Sequence, residues 1–324
     1  MGSKKEKGNR TFLPEARWSI DPPLSDRTEA VNISGADCCH ADGGTLTSGL
    51  LAGDEASSGR YAHFFTLKEH TIIPGPIISL LPPELDGETM NETDVEGVAY
   101  ADGAYYLIGS HGLTKKRAEF QRSRFFTYRV PIDRATGLPA FAFDGNTPPP
   151  QVERTDKLRA VIAHKSPLKK HAEEPLDKRG VNIEGLAVHN GRLFVGFRGP
   201  AKEGKAYVMR VGIDAVFGSD EVEAKVFELA LGKGVGVRDL ATVSDGLLVL
   251  SGPSADEIGP AHLFFWDGRS EETDQLATLG GLPEEAKPEV VLVLGEEADA
   301  YRVLIFSDGV ADGAPSEYRV PKAG

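Results

Sequence analysis

Three segments of the chain repeat one pattern: a short apolar stretch with an acidic opening, a two-residue step ending in glycine, and a second apolar stretch. The copies occupy residues 94–112, 182–199 and 237–252. Their two-residue steps are Asp102-Gly103, Asn190-Gly191 and Asp245-Gly246. Such dipeptides place both central residues of a type I′ turn at positive φ, so each copy predicts a tight β-hairpin.

Weaker copies flank these three, opening at Asn32 and Pro288. Each strong hairpin is followed by a third apolar stretch and, in places, a fourth. The stretches are nearly continuous rather than alternating, which suits sheets covered on both faces, as stacked blades are. The fold class is therefore predicted as all-β: a single β-propeller of five blades with four antiparallel strands each.

The blade count follows from repeat starts at positions 34, 96, 184, 239 and 289, with residues 16–20 as the candidate outer strand of the last blade. Six blades is the alternative, with a degenerate copy within residues 131–179. A helical fold is disfavoured because 37 glycines and 21 prolines interrupt the chain. Residues 1–15 are expected to form a disordered or extended segment, and residues 16–324 one propeller domain.

The 324-residue chain has a formal net charge of −13, which disfavours nucleic acid and anionic membranes as partners. Its longest apolar stretch, residues 71–83, contains two prolines and is too short to span a bilayer. Cys38 and Cys39 are adjacent and are expected to be buried thiols, with a redox pair as the alternative. No targeting segment is apparent, so a cytoplasmic location is expected.

Propeller topology brings the acidic openings of the repeats together. The first strand of a blade lines the central channel, and the loops before the first strand and after the second strand emerge on one face. We therefore expect a ring at the channel mouth formed by Ser34, Glu96, Glu184, Asp239 and Glu289. The segments after the second strands, which border the same opening, contain Ser110, His111, Arg198 and Ser251.

Crowded carboxylates raise one another's pKa or bind a cation. The candidate metal ligands are Glu96, Glu184, Asp239 and Glu289. Because oxygen donors select hard ions, Ca²⁺ or Mg²⁺ is the expected divalent metal, with Mn²⁺ as a further candidate. The alternative is architectural: each carboxylate hydrogen-bonds the backbone of the neighbouring blade and holds the ring shut.

Two insertions expected on this face, residues 112–124 and 164–180, are rich in lysine and arginine. Basic loops above an acidic ring suggest a small anionic ligand, and solvated surface loops are the alternative. If an anion binds there, Ser110, Arg198 and Arg238 are the candidate substrate-binding residues. His111 is then the candidate proton carrier, unless it is an ordinary surface or core histidine.

The chain resembles a bacterial family known as domain of unknown function 3616. The motifs that carry the resemblance are Asn32-Ile33-Ser34-Gly35, Asp94-Val95-Glu96-Gly97 and Asn182-Ile183-Glu184-Gly185. That family supports the propeller fold and brings no established activity. More distantly, the Glu-Gly openings are similar to those of gluconolactonase-type and phytase-like propellers, which implies divalent-metal binding at Glu96 and Glu184. Asp239 and Glu289 lack the following glycine.

Two functions are consistent with these features. One is a metal-dependent hydrolase of a small anionic substrate, such as a phosphate ester or a lactone, in which the metal polarises the scissile group and lowers the pKa of a bound water. The other is a non-catalytic propeller that serves as a platform for a ligand or a protein. A calcium-stabilised scaffold lies between them. Neither a nucleophile elbow nor a P-loop motif occurs in the sequence.

Overall fold

The computed structural model describes residues 10–24, 32–40, 46–54, 59–114 and 118–323. Within them, five small sheets surround a central channel as the blades of a β-propeller, which confirms the predicted fold class and the count of five. Residues 131–179, the candidate sixth copy, instead contain one α-helix, two 3₁₀ turns and the outer strand of blade 2. The weaker first repeat also contains an Asp-Gly dipeptide, Asp42-Gly43, which lies outside the described residues.

Each blade contains four antiparallel strands, which follow one another from the channel outward. In blade 1 they are Asn32–His40, Leu46–Asp54, Tyr61–Lys68 and Thr71–Ser79. In blade 2 they are Val95–Ala101, Ala104–Gly109, Thr127–Pro131 and Glu153–Thr155. In blade 3 they are Asn182–His189, Arg192–Lys202, Lys205–Gly212 and Ala224–Leu229. In blade 4 they are Val235–Val243, Gly246–Pro253, Ala261–Trp266 and Thr273–Leu279. In blade 5 they are Lys287–Glu296, Ala300–Asp308, Ser316–Pro321 and, from the other end of the chain, Ala16–Arg17.

Short elements occupy the connections between strands. The α-helices are Lys157–His164 and Ile213–Phe217, and the 3₁₀ turns are Arg122–Phe125, Leu168–Lys170, Leu176–Lys178 and Ala311–Gly313. A small hairpin pairs Glu84–Leu85 with Glu88–Thr89. None of the helices in the described part of the chain has the length and apolarity that crossing a bilayer requires.

An N-terminal strap, residues 11–20, closes the ring by pairing with three consecutive blades. Thr11–Phe12 runs parallel to the outer strand of blade 4, and Ala16–Arg17 is the fourth strand of blade 5. Ser19–Ile20 then runs parallel to the outer strand of blade 1. Trp18 Nε1 donates a hydrogen bond to Glu317 Oε2 at 2.8 Å. The outer strand predicted over residues 16–20 is therefore divided between two blades.

The hairpin turns follow the predicted chemistry in two of the three strong repeats. All four residues of Asp102-Gly103 and Asn190-Gly191 have positive φ, as type I′ turns require. In blade 4 the prediction is wrong by one residue, because Gly246 already pairs with Val243. The turn there consists of Ser244 and Asp245.

The core consists of five apolar clusters, one between each pair of adjacent blades. Towards the channel the inner strands approach so closely that side chains are excluded. A Cβ on Gly35 would lie 2.8 Å from Val98 N, and a Cβ on Gly97 would lie 2.7 Å from Leu186 Cβ. Glycine at these positions is therefore required for close contact between neighbouring inner strands. Cys38 and Cys39 are buried thiols, as expected.

Candidate functional site at the channel mouth

A β-bulge interrupts the inner strand of every blade at the same position. Near the start of each inner strand, one residue is skipped in the pairing register with the second strand. A bulge bends the strand locally and re-aims the side chain of the extra residue. From blade 1 to blade 5, the skipped residues are Ser34, Glu96, Glu184, Arg238 and Glu289.

In blade 4 the bulge residue is Arg238, whereas the sequence alignment placed Asp239 in the ring. The alignment of the repeats with one another matched Asp239 with the glutamates of the other repeats because all are acidic. It took no account of the strand-pairing register. Asp239 occupies the position after the bulge, where blades 2 and 3 have Gly97 and Gly185. The ring of bulge residues therefore contains three carboxylates, one serine and one guanidinium.

Arg238 is buried between two of these carboxylates. Its Nε lies 2.9 Å from Glu184 Oε2, and its Nη2 donates a hydrogen bond to Glu289 Oε1. The contact with Glu184 Oε2 is an ion pair outside hydrogen-bond geometry. Although burial disfavours the charge, nearby carboxylates raise the pKa of Arg238 above its usual value; they belong to Glu184, Glu289, Glu96 and Asp308. Arg238 is therefore a fixed cation at the centre of the ring.

A second arginine holds the other oxygen of Glu184. Arg198 Nη1 donates to Glu184 Oε1 at 2.8 Å, and Asn182 Nδ2 donates to the same oxygen at 3.1 Å. The side chains of Arg198 and Glu184 are 6% and 5% exposed. Arg198 Nη2 also donates to Ala255 O, at 3.0 Å, and so connects blade 3 with blade 4. This arrangement makes Glu184 the shared partner of both arginines.

Glu289 is a ring carboxyl whose charged form is disfavoured. Burial raises its pKa to about 8, even though Arg238 beside it acts in the opposite direction. The charges of Glu184 and Asp308 add to the rise. Glu289 therefore exchanges its proton close to neutral pH.

Asp239 connects inner strands through the backbone. Its carboxylate accepts hydrogen bonds from Leu240 N at 2.7 Å and from Val291 N of blade 5 at 2.9 Å. In the same way Asp37 of blade 1 accepts a hydrogen bond from Tyr100 N of blade 2 at 2.7 Å. Burial raises the pKa of both carboxyls, that of Asp37 to about 7. Asp239 and Asp37 thus bond to the backbone of the neighbouring blade, which is the architectural role given above as the alternative for the ring carboxylates.

His111 lies in an apolar environment beneath the insertion of blade 2. Neither ring nitrogen makes a hydrogen bond within the described structure, and the small cavity beside the ring is lined by Phe120, Phe125 and Arg159 among others. Burial, with a smaller contribution from Arg159, lowers the pKa of His111 to about 3. Such an imidazole is a weak base near neutral pH, and the proton-carrier role stays a prediction.

Ser110, a predicted substrate-binding residue, is fully buried and bonded within the fold. Its carbonyl oxygen accepts a hydrogen bond from Ile183 N at 2.7 Å, and its Oγ accepts one from Gly112 N at 3.2 Å. The first of these contacts joins the end of the second strand of blade 2 to the first strand of blade 3.

A cleft of about 1010 Å³ opens between blades 3 and 4, beside the channel mouth. Arg198 holds one of its walls through the bond to Ala255 O. The charged side chains that line it are Asp177, Arg179, Lys202, Glu203, Lys233 and Asp256. Lys202 lies 3.2 Å from Glu203, and Asp256 lies 2.7 Å from Lys287.

Of the basic insertions, one reaches this cleft. Arg179, from residues 164–180, lines it, whereas Arg124 of the other insertion is paired with Asp94 at 2.9 Å. Lys115, Lys116 and Arg117 lie outside the described residues.

A sequence profile of the family described as Protein of unknown function (DUF3616) matches residues 62–129 and 148–312. The chain belongs to this family. The matched ranges contain the bulge residues of blades 2 to 5 and every residue that lines the cleft, whereas Ser34 of blade 1 lies outside them. No curated protein sequence matches the chain significantly.

Solved structures resemble this DUF3616 member at low identity. The major allergen Mala s 1 of Malassezia sympodialis is 13% identical, with 94% of this chain and 81% of that chain covered and a TM-score of 0.46. A GH43 β-1,3-galactosidase with galactodeoxynojirimycin is 11% identical, with 95% and 94% covered and a TM-score of 0.46. A putative 6-phosphogluconolactonase from Bacteroides uniformis is 12% identical, with 86% and 68% covered and a TM-score of 0.32. Similarities at this level carry no argument about function.

Three of the four predicted metal ligands, Glu184, Glu289 and Asp239, contact other groups of the fold. Both oxygens of Glu184 and one of Glu289 face arginine, and the carboxylate of Asp239 faces backbone amides. Among the described residues no group of three or more His, Cys, Asp or Glu is arranged to hold a metal ion. These residues therefore fit ion pairing better than a shared metal, and the divalent-metal prediction stays a prediction.

Several residues that take part in these hydrogen bonds and ion pairs were not predicted as site residues from the sequence. Asn182 had a usable signal, because a residue two positions before Glu184 on a strand lies on the same face. Asp37 had another, since an acid inside an apolar inner strand needs a hydrogen-bonding partner. Asp256 and Lys287 had none, because their contact joins a loop of blade 4 to the first residue of a strand of blade 5, 31 positions away.

Proposed function

We propose that the protein binds a small anionic molecule in the cleft between blades 3 and 4. The observation that carries the proposal is a cleft of about 1010 Å³, lined by Arg179 and Lys233 and anchored on the buried Arg198. Small-molecule sites are usually concave, largely preformed and of similar size.

The charges of the cleft favour an anion over a cation. Glu203 is paired with Lys202 and Asp256 with Lys287, so these acids are already neutralised. Within the described residues, the side chains of Arg179 and Lys233 have no ion-pair partner. The cleft therefore keeps two positive charges, on Arg179 and Lys233, against one remaining carboxylate, that of Asp177. A planar guanidinium on one wall and an ammonium on another can together hold a carboxylate or phosphate group.

Small residues along the cleft leave room for a ligand to approach the backbone. Its lining includes Gly199, Ala201, Gly204, Gly234 and Ala255. A Cβ built on Gly234, whose φ is +73°, would meet nothing within 4 Å. Backbone N–H and C=O groups exposed in this way can fix the orientation of a polar ligand body.

The test is a thermal-shift and calorimetric titration with inorganic phosphate, glucose 6-phosphate, gluconate and neutral glucose. At least one anionic probe should bind, and Arg179→Gln and Lys233→Gln should each weaken it about tenfold, equivalent to about 1.4 kcal/mol. Lys68→Gln is the matched control, because Lys68 is exposed at a turn on the opposite face of the propeller. Binding that neither cleft variant weakens would refute the proposed location, and absence of binding by every anion would refute the proposal.

A second candidate is the divalent-metal-dependent hydrolase predicted from the sequence. The observation in its favour is an excess of acid at the mouth, where four carboxyl groups, including Glu96 and Asp308, surround Arg238. Elemental analysis, combined with melting in EDTA and in Ca²⁺, Mg²⁺ or Mn²⁺, tests the metal, and phosphate esters and lactones test turnover. Stoichiometric metal that Glu184→Gln removes would support this candidate, whereas metal-free protein with unchanged melting would refute it.

A further inference from the structure

We propose that Arg238 is the resident cation of the channel mouth and occupies the place at which the surrounding carboxylates would otherwise require a divalent ion. A corollary is that removing its side chain uncovers a divalent-cation site formed by carboxylates of blades 3 and 5. This inference does not depend on what the cleft binds.

The position of Arg238 in the fold is the first reason. Arg238 is the bulge residue of blade 4, and the equivalent residues of blades 2, 3 and 5 are all glutamates. The same bulge that brings three carboxylates to the mouth therefore brings a guanidinium among them.

The contacts of Arg238 are the second reason. One guanidinium touches Glu184 of blade 3 and Glu289 of blade 5, so both carboxylates are directed towards the same small volume. The side chain of Arg238 is 4% exposed and that of Glu289 is 12% exposed, which leaves little room for solvent to screen their charges. Glu184 Oε2, which faces Arg238, has no hydrogen-bond donor among the described residues. Its compensation comes from the charge of Arg238.

The charge balance at the mouth is the third reason. Without Arg238, the carboxylates of Glu184 and Glu289 would face each other with Glu96 and Asp308 close by. Like charges in a buried site must be protonated or must bind a cation. Carboxylate oxygens are the ligands that Ca²⁺ and Mg²⁺ prefer, and Ca²⁺ tolerates irregular geometry. Arg198 remains bonded to the far oxygen of Glu184, so Glu184 Oε2 is the oxygen that becomes available.

The decisive experiment compares wild-type protein with Arg238→Ala and Arg238→Lys by melting and by equilibrium dialysis with Ca²⁺ and Mn²⁺. The wild-type melting temperature should not respond to EDTA or to millimolar Ca²⁺. Arg238→Ala should melt lower without metal, bind about one Ca²⁺, and gain about 4 °C or more in millimolar Ca²⁺. Arg238→Lys, which keeps a cation, should take up none, and adding Glu289→Gln to Arg238→Ala should abolish the uptake.

Two outcomes would overturn the inference: stoichiometric metal in the wild-type protein that Glu184→Gln removes, or a folded Arg238→Ala protein that takes up no metal. If Arg238→Ala does not fold, Arg238→Gln, which keeps more of the side-chain volume and its hydrogen-bonding capacity, provides the same comparison. Lack of uptake by that folded variant would overturn the inference equally. Because metal uptake is measured without any anionic probe, its failure is distinguishable from failure of ligand binding in the cleft.

Discussion

The Arg198 guanidinium and the Glu184 carboxylate form a buried ion pair at 2.8 Å across the first hairpin of blade 3. Glu184 comes from the bulge of the inner strand, and Arg198 from the second strand. Arg198 continues to Ala255 O in blade 4, whereas Glu184 continues to Arg238. The pair therefore supports both the ring and the wall of the cleft.

Arg198→Ala should destabilise the protein by about 3–5 kcal/mol, because it leaves the buried Glu184 carboxylate without one of its partners. The measurement is the free energy of unfolding in urea. Arg319→Ala is the control, since Arg319 pairs at the surface with Glu297 and Asp299 and should cost about 1 kcal/mol or less. Equal losses in the two variants would contradict the role assigned to the buried pair.

Asp239→Ala should weaken the junction between blades 4 and 5. The change leaves the amides of Leu240 and Val291 without their carboxylate acceptor, at a cost of about 1–3 kcal/mol. Native-state hydrogen exchange should show faster exchange at both amides. Asp245→Asn, in an exposed turn, should leave them unchanged. Protection at Val291 that survives Asp239→Ala would show that another acceptor serves this amide.

Gly35→Ala should destabilise the ring by about 1–3 kcal/mol, because the new Cβ would lie 2.8 Å from Val98 N of the next blade. Backbone must move to relieve that contact. Gly212→Ala is the matched control, since a Cβ there would meet nothing within 4 Å. Chemical denaturation of both variants checks the prediction, and a Gly35→Ala protein as stable as the control would disprove the close approach.

Glu289 should make stability depend on pH. Its pKa is about 8 in the folded protein against 4.5 for an ordinary glutamate, so the folded state holds a proton that the unfolded chain releases. Stability should therefore fall as pH rises from about 4.5 towards about 8. Glu289→Gln should flatten this part of the curve while keeping an acceptor for Arg238. Unfolding free energies measured at a series of pH values test this, and parallel curves for both proteins would count against it.

The fold could be predicted because its signals are local. The turn dipeptides Asp102-Gly103 and Asn190-Gly191, with continuous apolar stretches on both sides, specify hairpins without reference to distant residues. Repetition of the hairpin then leaves few architectures to consider. The division of residues 16–20 between two blades was not predictable in this way, since it depends on partners that are distant in sequence, at residues 71–72 and 316–317.

The site was predicted less completely, because the pairing register between the first two strands of a blade determines which residue lies at the bulge. Ser34, Glu96, Glu184 and Glu289 lie at the bulge positions of their blades, where the repeats were expected to begin, and their roles in a site stay predictions. Arg238 was identified as a ligand contact but not as the ring member, because sequence alignment cannot show a bulge that shifts the pattern by one residue. The surroundings of His111, which disfavour its protonated form, depend on packing beneath an insertion. Such packing has no signature in the sequence.

The strap has a consequence for synthesis of the protein. Ala16 and Arg17 pair with Glu317 and Ser316, and Trp18 bonds to Glu317 across a separation of 299 positions. During translation, residues 16–18 therefore remain without these partners until Ser316 and Glu317 have been synthesised. Blades 2 to 4 can form their hairpins during translation. The strap can join the first and fifth blades only after the third strand of blade 5 has been synthesised. Until blade 5 has formed, the ring is open, and the apolar face of blade 1 that packs against blade 5 in the folded protein lacks its partner.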